Sequence, residues 1–319
     1  MKKVLITGST GFAGLHLLRY LDTLGNYELF GTYLTEGSLN NVADFSQKIN
    51  FEKIDLSLQD KVEEMIAKIK PDYIFHLAAL ASSSKSFDNP KQTLVSNIET
   101  ELNILEGVRK ADLSGTKILI VSSAEIYGKV NKENNPLNEE APFNPTSSYA
   151  VSKIAQDFLG LQYFLTYNLK TIRVRPFNHI GPAQSQGFVV ADFAKKIAQI
   201  ENGEIEPILK VGNLETHRDF TDVRDMVRAY LLLIEKGEPG EVYNIGSGIS
   251  YKISDILEKL ILLSKAKIEV KVDKSLLRPV DNQELICDYS KMKRITNWKP
   301  EITIEKTLKD TLDYFRNII

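Results

Sequence analysis

"KKVLITGSTGFAGLHLLRYLDTLG", residues 2–25, decides the fold. A short apolar run ends at Gly8, and from Gly11 onward apolar residues recur at helical spacing until Gly25 stops them. A strand, a glycine-rich loop and a helix in direct succession make a seat for a pyrophosphate. Glycine permits the tight turn and the close approach of backbone to phosphate, while the helix N-terminus offers unpaired N–H groups and the positive end of its dipole. Gly8, Gly11 and Gly14 are spaced GxxGxxG, unlike the GxGxxG of the usual dinucleotide fingerprint. The strand–loop–helix context therefore carries more of the argument than the spacing. Thr10, Phe12 and Ala13 complete the expected contact with a dinucleotide.

Outward from this loop the chain alternates. Strand-like runs at 27–34, 50–56, 72–80, 116–124 and 169–177 are separated by helical patterns at 59–69, 90–111 and from 148 onward. The strands are mostly continuous apolar runs, which suit burial on both faces, so the pattern predicts an α/β fold with a doubly wound parallel sheet of Rossmann type. After about Pro176 the alternation loosens. Helical patterns at 187–203, 221–237, 254–264 and 304–318 mix with short strands at 208–212, 240–246 and 267–272. We expect a dinucleotide-binding domain over 1–175 plus 219–247, which "GEVYNIG" rejoins as a strand, and a smaller α/β substrate domain over 176–218 plus 248–319.

Bulk properties exclude several classes. With 319 residues, 43% hydrophobic and 26% charged, and a formal charge of -2, the chain shows no polyanion-binding surface and no basic run of the nucleic-acid type. Its single cysteine cannot form an internal disulfide, and its 4 histidines lack metal-ligand spacing, so no metal site is expected. No apolar run reaches the ~18 residues of a membrane span, and the N-terminus opens on a strand without a signal-type apolar region. We therefore expect a cytoplasmic protein with no membrane or nucleic-acid partner.

The carboxyl ends of the strands are where a doubly wound sheet binds ligands. After the second strand, "GTYLTEG" puts Thr32 and Tyr33 near an adenosine ribose with no obvious charge of either sign, which leaves NAD and NADP both open. Asp55 and Leu56 follow the third strand and can meet the adenine edge; Leu77, Ala78 and Ala79 end the fourth with mostly small side chains, which suit a cofactor lying across the edge. The fifth strand ends in "VSSAEIYG", delivering Ser122 and Ser123 to the same edge. "SSYAVSK" then sets Tyr149 four residues before Lys153, on one face of a helix. There an ammonium can favour an ionised phenol and prepare it for acid–base work. "YSKMK", Tyr289 to Lys293, repeats that spacing where nothing else suggests chemistry, so the pair matters only in company.

Taken together, "TGSTGFAG", the "DL" at Asp55, "HLAA", "SSAEIYG", "YAVSK", "RPFNHIGP" and "NIGSG" resemble the extended short-chain dehydrogenase/reductases, enzymes that modify nucleotide sugars. The resemblance spans most of the chain in the family's order. It implies that Ser123, Tyr149 and Lys153 form a catalytic triad beside a nicotinamide cofactor, with "YSKMK" a decoy. Within the family, residues 175–197, 211–230, 240–248 and the "LRPVD" at 277–281 look most like the GDP-4-keto-6-deoxy-D-mannose reductases. That resemblance implies a GDP-linked sugar substrate. It further implies that Asn178 and Val189 line the substrate site and that Arg218 and Arg278 face the phosphates, where guanidinium gives fork-shaped hydrogen bonds. It implies hydride transfer to the C4 carbonyl with Tyr149 as proton donor and Ser123 polarising the oxygen.

Glu125 sits where GDP-mannose 4,6-dehydratases, also similar, place a catalytic glutamate, so a dehydratase remains an alternative, as does an epimerase. Against it, this chain reads "FVVADF" and "RDFTDV" where dehydratases usually carry Thr-Arg-Lys and Trp-Gly-His runs. A non-catalytic dinucleotide binder would call for a broken triad, which is not seen. His179 reads as a packed side chain. The family resemblance also implies a homodimer through a four-helix bundle built from residues 90–111 and 148–167, whose apolar faces can equally serve the subunit's own sheet.

Overall fold

Three consecutive side chains of the first strand, Val4, Leu5 and Ile6, are inaccessible to solvent, so both faces of that strand are covered. Side chains alternate across a strand, and the alternation sorts them into two cores. Val4 and Ile6 join one with Phe75, Leu119, Ile172 and Val174, while Leu5 joins another with Ile74, Ile118 and Ile120. Each fully buried aliphatic side chain contributes about 1.5–3 kcal/mol. The computed structural model of the chain describes residues 1–42, 45, 49–130, 132–276 and 284–319.

The strands in chain order are β1 (Lys2–Thr7), β2 (Tyr27–Tyr33), β3 (Asn50–Lys53), β4 (Tyr73–His76), β5 (Lys117–Val121) and β6 (Lys170–Pro176). They are followed by β7 (Asn178–Ile180), β8 (Ile208–Val211), β9 (His217–Asp222), β10 (Val242–Ile245), β11 (Ser250–Lys252) and β12 (Glu269–Val272). The helices are α1 (Phe12–Leu24), α2 (Gln59–Ile69), α3 (Lys85–Asp88), α4 (Pro90–Lys110), α5 (Ser148–Tyr167), α6 (Val189–Glu201), α7 (Val223–Lys236), α8 (Ile253–Leu262), α9 (Ser290–Thr296) and α10 (Ile304–Ile318).

Seven strands form one sheet in the order β10-β6-β5-β4-β1-β2-β3, every neighbouring pair parallel. α1 and α7 cover one face, while α2, α4 and α5 cover the other. This is the doubly wound Rossmann arrangement expected from the alternation, with "GEVYNIG" returning as the edge strand β10. The chain leaves β1 toward β2 on one side and comes back to β4 on the other. The glycine loop after β1 and the Leu77–Ala79 segment after β4 therefore meet at the switch point, where the crevice of such a sheet opens.

A smaller α/β assembly has its own core. α6, α8 and α10 pack together over the three-stranded sheet β11-β9-β7 and the parallel pair β12-β8, with Val190, Phe193, Ile197, Ile256, Leu308 and Phe315 among the buried residues. Its division from the large sheet departs from the sequence reading in two places. β9 runs to Asp222, across the expected boundary at 219, because its partners are β7 and β11. Met292 and Trp298, expected in the smaller lobe, are buried in the large sheet's core, where Trp298 Nε1 donates to the Asp225 carbonyl on α7 at 3.1 Å. The strands β7, β9 and β11 escape the sequence reading because they are short and largely polar, and they are fixed by pairing with one another and by packing against the core of the smaller assembly.

Helix α5 is set by its ends and by one ion cluster. Ser147 caps its start, accepting from Ala150 N–H at 3.1 Å, and Asn168 in the left-handed region ends it. Between them the fully buried Asp157 accepts from Arg173 at 2.6 Å and from Arg175 at 2.7 Å, both on β6. Replacing Asp157 by Asn strands two buried guanidinium groups and should cost roughly 3–5 kcal/mol. Urea denaturation of the two proteins will measure it, and a loss below about 1 kcal/mol sinks this account of how α5 is fixed.

Candidate active site

The glycine loop is tight because backbone touches backbone. Gly8 has φ +65°, and a Cβ there would come within 2.9 Å of Ala78 Cα; a Cβ on Gly14 would lie 2.3 Å from the Gly8 carbonyl oxygen. Gly11 N–H donates to that same oxygen at 3.0 Å. No side chain caps the N-terminus of α1, and its first turn holds no acidic residue. A cradle that any side chain would fill, at an uncapped helix start, fits a dinucleotide pyrophosphate.

Thr32 braces this loop from behind. Its hydroxyl accepts from Gly8 N–H at 3.2 Å, and its carbonyl accepts from Ser9 N–H and Oγ–H at 3.1 and 2.9 Å. Buried to 2% exposure, Thr32 supports the loop instead of presenting itself at a ribose. The edge is also charged, contrary to the sequence reading. Lys53, in register with Tyr33, forms an ion pair with Glu36 at 2.9 Å, so a base and an acid face each other there. Asp55 is exposed, its carboxylate accepting from Ser57 N–H and Oγ–H at 3.0 and 2.8 Å, while the Leu56 carbonyl accepts from Asn103. Leu77, Ala78 and Ala79 are half-buried along the crevice.

The catalytic candidates converge. Ser123 ends the segment after β5, its Oγ accepting from Glu125 N–H at 3.1 Å and hydrogen-bonding Tyr149. Tyr149 lies in the first turn of α5 and Lys153 one turn on, with Nζ 5.9 Å from the phenol ring centroid and donating to the Val121 carbonyl at 2.8 Å. Ser122, also expected at this edge, is turned inward, its Oγ–H donating to the Lys153 carbonyl at 3.0 Å.

The phenol's acidity differs from the sequence expectation. Burial pushes Tyr149 up to about 12, with the Glu125 carboxylate adding to the shift and the Ser123 hydrogen bond opposing it. The expected lowering by Lys153 does not appear among the causes of the shift, and burial dominates it. Burial brings Lys153 down to about 8, against the opposing pull of Glu101. At neutral pH the site thus holds a protonated phenol, hydrogen-bonded to a serine, above a buried ammonium. That is a proton donor's arrangement.

Several positioning residues escaped the sequence reading. The Thr7 hydroxyl accepts from Leu77 and Ala78 N–H at 3.1 and 3.2 Å and so donates to His76 Nδ1 at 2.9 Å, tying β1 to β4 at the crevice. His76 is held neutral, its acidity moved to about 3 by burial and by the Lys153 charge. Asn97 on α4 accepts from Leu80 N–H at 2.7 Å and donates to Ser152 Oγ at 2.9 Å, next to Lys153. Thr7 lies within a quoted motif and Asn97 within the helical pattern at 90–111, but an ordinary threonine or asparagine signals nothing until its partners are known.

On the facing lobe, Asn178 and Arg218 lie half-buried on adjacent strands, with Asn178 in register with Phe220. Arg218 Nη1 donates to the His217 carbonyl at 2.7 Å. Val189 begins α6, and Arg278 lies outside the described residues. Beside Arg218, the buried Asp219 carboxylate accepts from Ser247 N–H, Ser247 Oγ–H, Gly248 N–H and Cys287 N–H at 2.5–3.0 Å. One carboxylate thereby clasps β9 to the "NIGSG" turn and to the Cys287 segment.

His179 stacks on Phe12 at 5.7 Å with ring planes 5° apart, and His16 Nε2–H donates to the Pro182 carbonyl at 2.8 Å. Burial lowers the basicity of both histidines, which suits packing. "YSKMK" is structural too, with Tyr289 lying edge-on to Trp298 at 5.5 Å. Among the described residues, no cluster of His, Cys, Asp or Glu is arranged to hold a metal, and no helix is long and apolar enough to cross a membrane.

The GDP-mannose 4,6 dehydratase family model matches residues 5–311. The GDP-6-deoxy-D-mannose reductase of Pseudomonas aeruginosa is 34% identical over 98% of this chain and 96% of its own length. A GDP-mannose 4,6-dehydratase of Vibrio cholerae is 27% identical over 96% and 91%. Among solved structures, RMD from Pseudomonas aeruginosa complexed with NADPH superposes with TM-score 0.85 at 31% identity, covering 100% of both chains. The Thermus thermophilus UDP-glucose 4-epimerase complex with NAD gives TM-score 0.88 at 27% identity, covering 99% of this chain and 100% of that one.

The cradle yields a direct test. Gly14→Ala drives a methyl into the Gly8 carbonyl, and we expect NADPH and NADH affinity to fall by at least about tenfold while far-UV circular dichroism is retained. Unchanged affinity, by titration of nicotinamide fluorescence, rules out this loop as the dinucleotide seat.

Proposed function

The chain belongs to the GDP-mannose 4,6-dehydratase family, and from that premise we propose that it is an NAD(P)H-dependent reductase of the C4 keto group of GDP-4-keto-6-deoxy-D-mannose, forming GDP-D-rhamnose. The observation that carries the reading is the protonated, buried Tyr149 hydrogen-bonded to Ser123 at the sheet's carboxyl edge. A reduction needs a proton for the alkoxide it creates, and a phenol held protonated across the physiological range supplies one. The 34% identity to a GDP-6-deoxy-D-mannose reductase, over nearly the whole chain, supports the substrate class.

The residues then take distinct roles. Gly8, Gly11 and Gly14 seat the pyrophosphate with Thr10, Phe12 and Ala13 around it, and Asp55, Leu56 and Leu77–Ala79 line the crevice. Bound there, a reduced nicotinamide supplies the hydride. Ser123 donates a hydrogen bond to the substrate's carbonyl oxygen, Tyr149 gives that oxygen its proton, and Lys153 holds the cofactor ribose and keeps positive charge beneath the phenol. Asn178, Val189 and Arg218 hold the sugar diphosphate, joined by Arg278. The same triad can serve an epimerase. The dehydratase reading has one specific observation in its favour: the Glu125 carboxylate acts on the Tyr149 phenol.

Incubation with GDP-4-keto-6-deoxy-D-mannose and, separately, NADPH and NADH should oxidise one cofactor stoichiometrically and give GDP-D-rhamnose by NMR. Conversion of GDP-D-mannose to the keto sugar with no net cofactor oxidation, abolished by Glu125→Gln, makes the protein a dehydratase instead. Tyr149→Phe should lower turnover by about 10²–10⁴-fold and leave cofactor affinity nearly unchanged. Lost cofactor binding with normal turnover removes Tyr149 from its role.

The proposal extends to a cytoplasmic homodimer built on α4 and α5. Val95, Val151, Phe158 and Leu165 leave 44–70% of their surfaces exposed on these two helices, an apolar face suited to a second copy. Sedimentation should show a dimer for the native chain and a monomer for Phe158→Glu. A monomeric native chain ends the proposal.

A further inference from the structure

Between α4 and α5 lies a carboxyl group to which the reaction has so far given no task. Glu101 is 1% exposed, and its carboxyl oxygens make no well-aligned hydrogen bond among the described residues, although the nearby Gln156 amide favours its charged form. Burying such a group without partners costs several kcal/mol when it is charged, and a side chain of similar volume without charge would avoid that cost.

Its position in the helix pair is fixed by neighbouring contacts. α4 and α5 each connect adjacent parallel strands, so they run in the same direction. Asn97 on α4 donates to Ser152 on α5 at 2.9 Å. One turn further along α4, about 6 Å, Glu101 comes opposite the stretch of α5 that holds Lys153, Gln156 and Asp157, all buried. Gln156 makes no well-aligned hydrogen bond of its own, and its neutral amide favours the charged form of Glu101 without neutralising it. Asp157 is already engaged with Arg173 and Arg175. Lys153 is the cation left to face Glu101, and each acts electrostatically on the other.

We propose that Glu101 is a positioning residue of the active site, the buried counter-group that holds the Lys153 ammonium in place beneath Tyr149. This rests on the triad assigned under the proposed function. Lys153 donates to the neutral Val121 carbonyl, which leaves its charge uncompensated by an acceptor of opposite sign in direct contact among the described residues. Glu101 supplies that sign from the adjacent helix.

The other groups around the pair do not compete. From β4 comes His76, held neutral. Asp157 on α5 is committed to β6 and, as a like charge, disfavours the charged form of Glu101, while Glu125, in the turn after β5, acts on Tyr149. α2 presents the apolar Val62, Met65, Ile66 and Ile69, and α3 buries only Ser86.

The sign of the effect follows. Burial lowers the proton affinity of Lys153 and raises that of Glu101, and their mutual attraction opposes both shifts. The two therefore titrate as a pair. Removing the carboxylate leaves burial unopposed, so Lys153 loses its proton at lower pH. The test compares Glu101→Gln, nearly identical in shape, with the wild type. NADPH affinity, by nicotinamide fluorescence, and kcat/KM for GDP-4-keto-6-deoxy-D-mannose are each measured from pH 6 to about 10.

We expect the alkaline limb of both profiles to move down by about one pH unit in Glu101→Gln, with partial return in Glu101→Asp. The melting temperature of Glu101→Gln should be unchanged or higher. Profiles that keep their midpoints, whether or not their height changes, overturn the proposal and leave Glu101 a packing residue. Should the wild type not reduce the sugar nucleotide, the proposed reaction fails by itself, and the shift in the NADPH profile still decides the role of Glu101.

Discussion

A single buried carboxylate, Asp157, gripping two guanidinium groups of β6, sets the rotation of α5 against the sheet. Three charges in a dry interior tolerate little displacement, because loosening any one of them leaves the others unpaired in a medium that solvates them poorly. Lys153 and Tyr149 lie about one and two turns N-terminal to Asp157 on the same helix. Their approach to Ser123 and to the Val121 carbonyl is therefore decided by an ion cluster that takes no part in the chemistry. The Asn97–Ser152 hydrogen bond adds a second fixed point from α4.

The crevice depends on a different constraint, the closeness of backbone to backbone at the switch point. Thr7 and Thr32 hold the glycine loop from two sides through hydroxyl groups, one gathering the N–H groups after β4 and the other accepting from Gly8. The second lobe is then referred to this loop by the Phe12–His179 stack and the His16–Pro182 hydrogen bond, both made by α1. Asp219 fixes the opposite wall by drawing β9, the turn after β10 and the Cys287 segment onto one carboxylate. Seat and wall are thus each fixed by contacts between segments remote in sequence.

Burial has opposite consequences for the two titrating members of the triad. It keeps the phenol protonated and weakens the ammonium's hold on its proton. A reductase uses the first effect directly, since its tyrosine must give a proton away. The second is a liability, and the carboxyl group of Glu101 stands where it offsets it.

Local patterns carried a large part of this protein. The apolar runs, the glycine loop and the Tyr149/Lys153 spacing were each legible because they depend on residues close in the chain, where periodicity and steric permission act directly. Thus the doubly wound sheet and the delivery of Ser123, Tyr149 and Lys153 to one edge could be read from the residues, with the family resemblance supplying the expected roles and the substrate class. The short strands β7, β9 and β11 could not, since their polar sequences become strands only when the other segments are beside them. Nor could the inward turn of Thr32, the Lys53–Glu36 pair, the raised pKa of Tyr149 or the place of Glu101. Charge and proton affinity depend on distance and on the exclusion of water, which segments remote in sequence create together, and these only the tertiary structure decided.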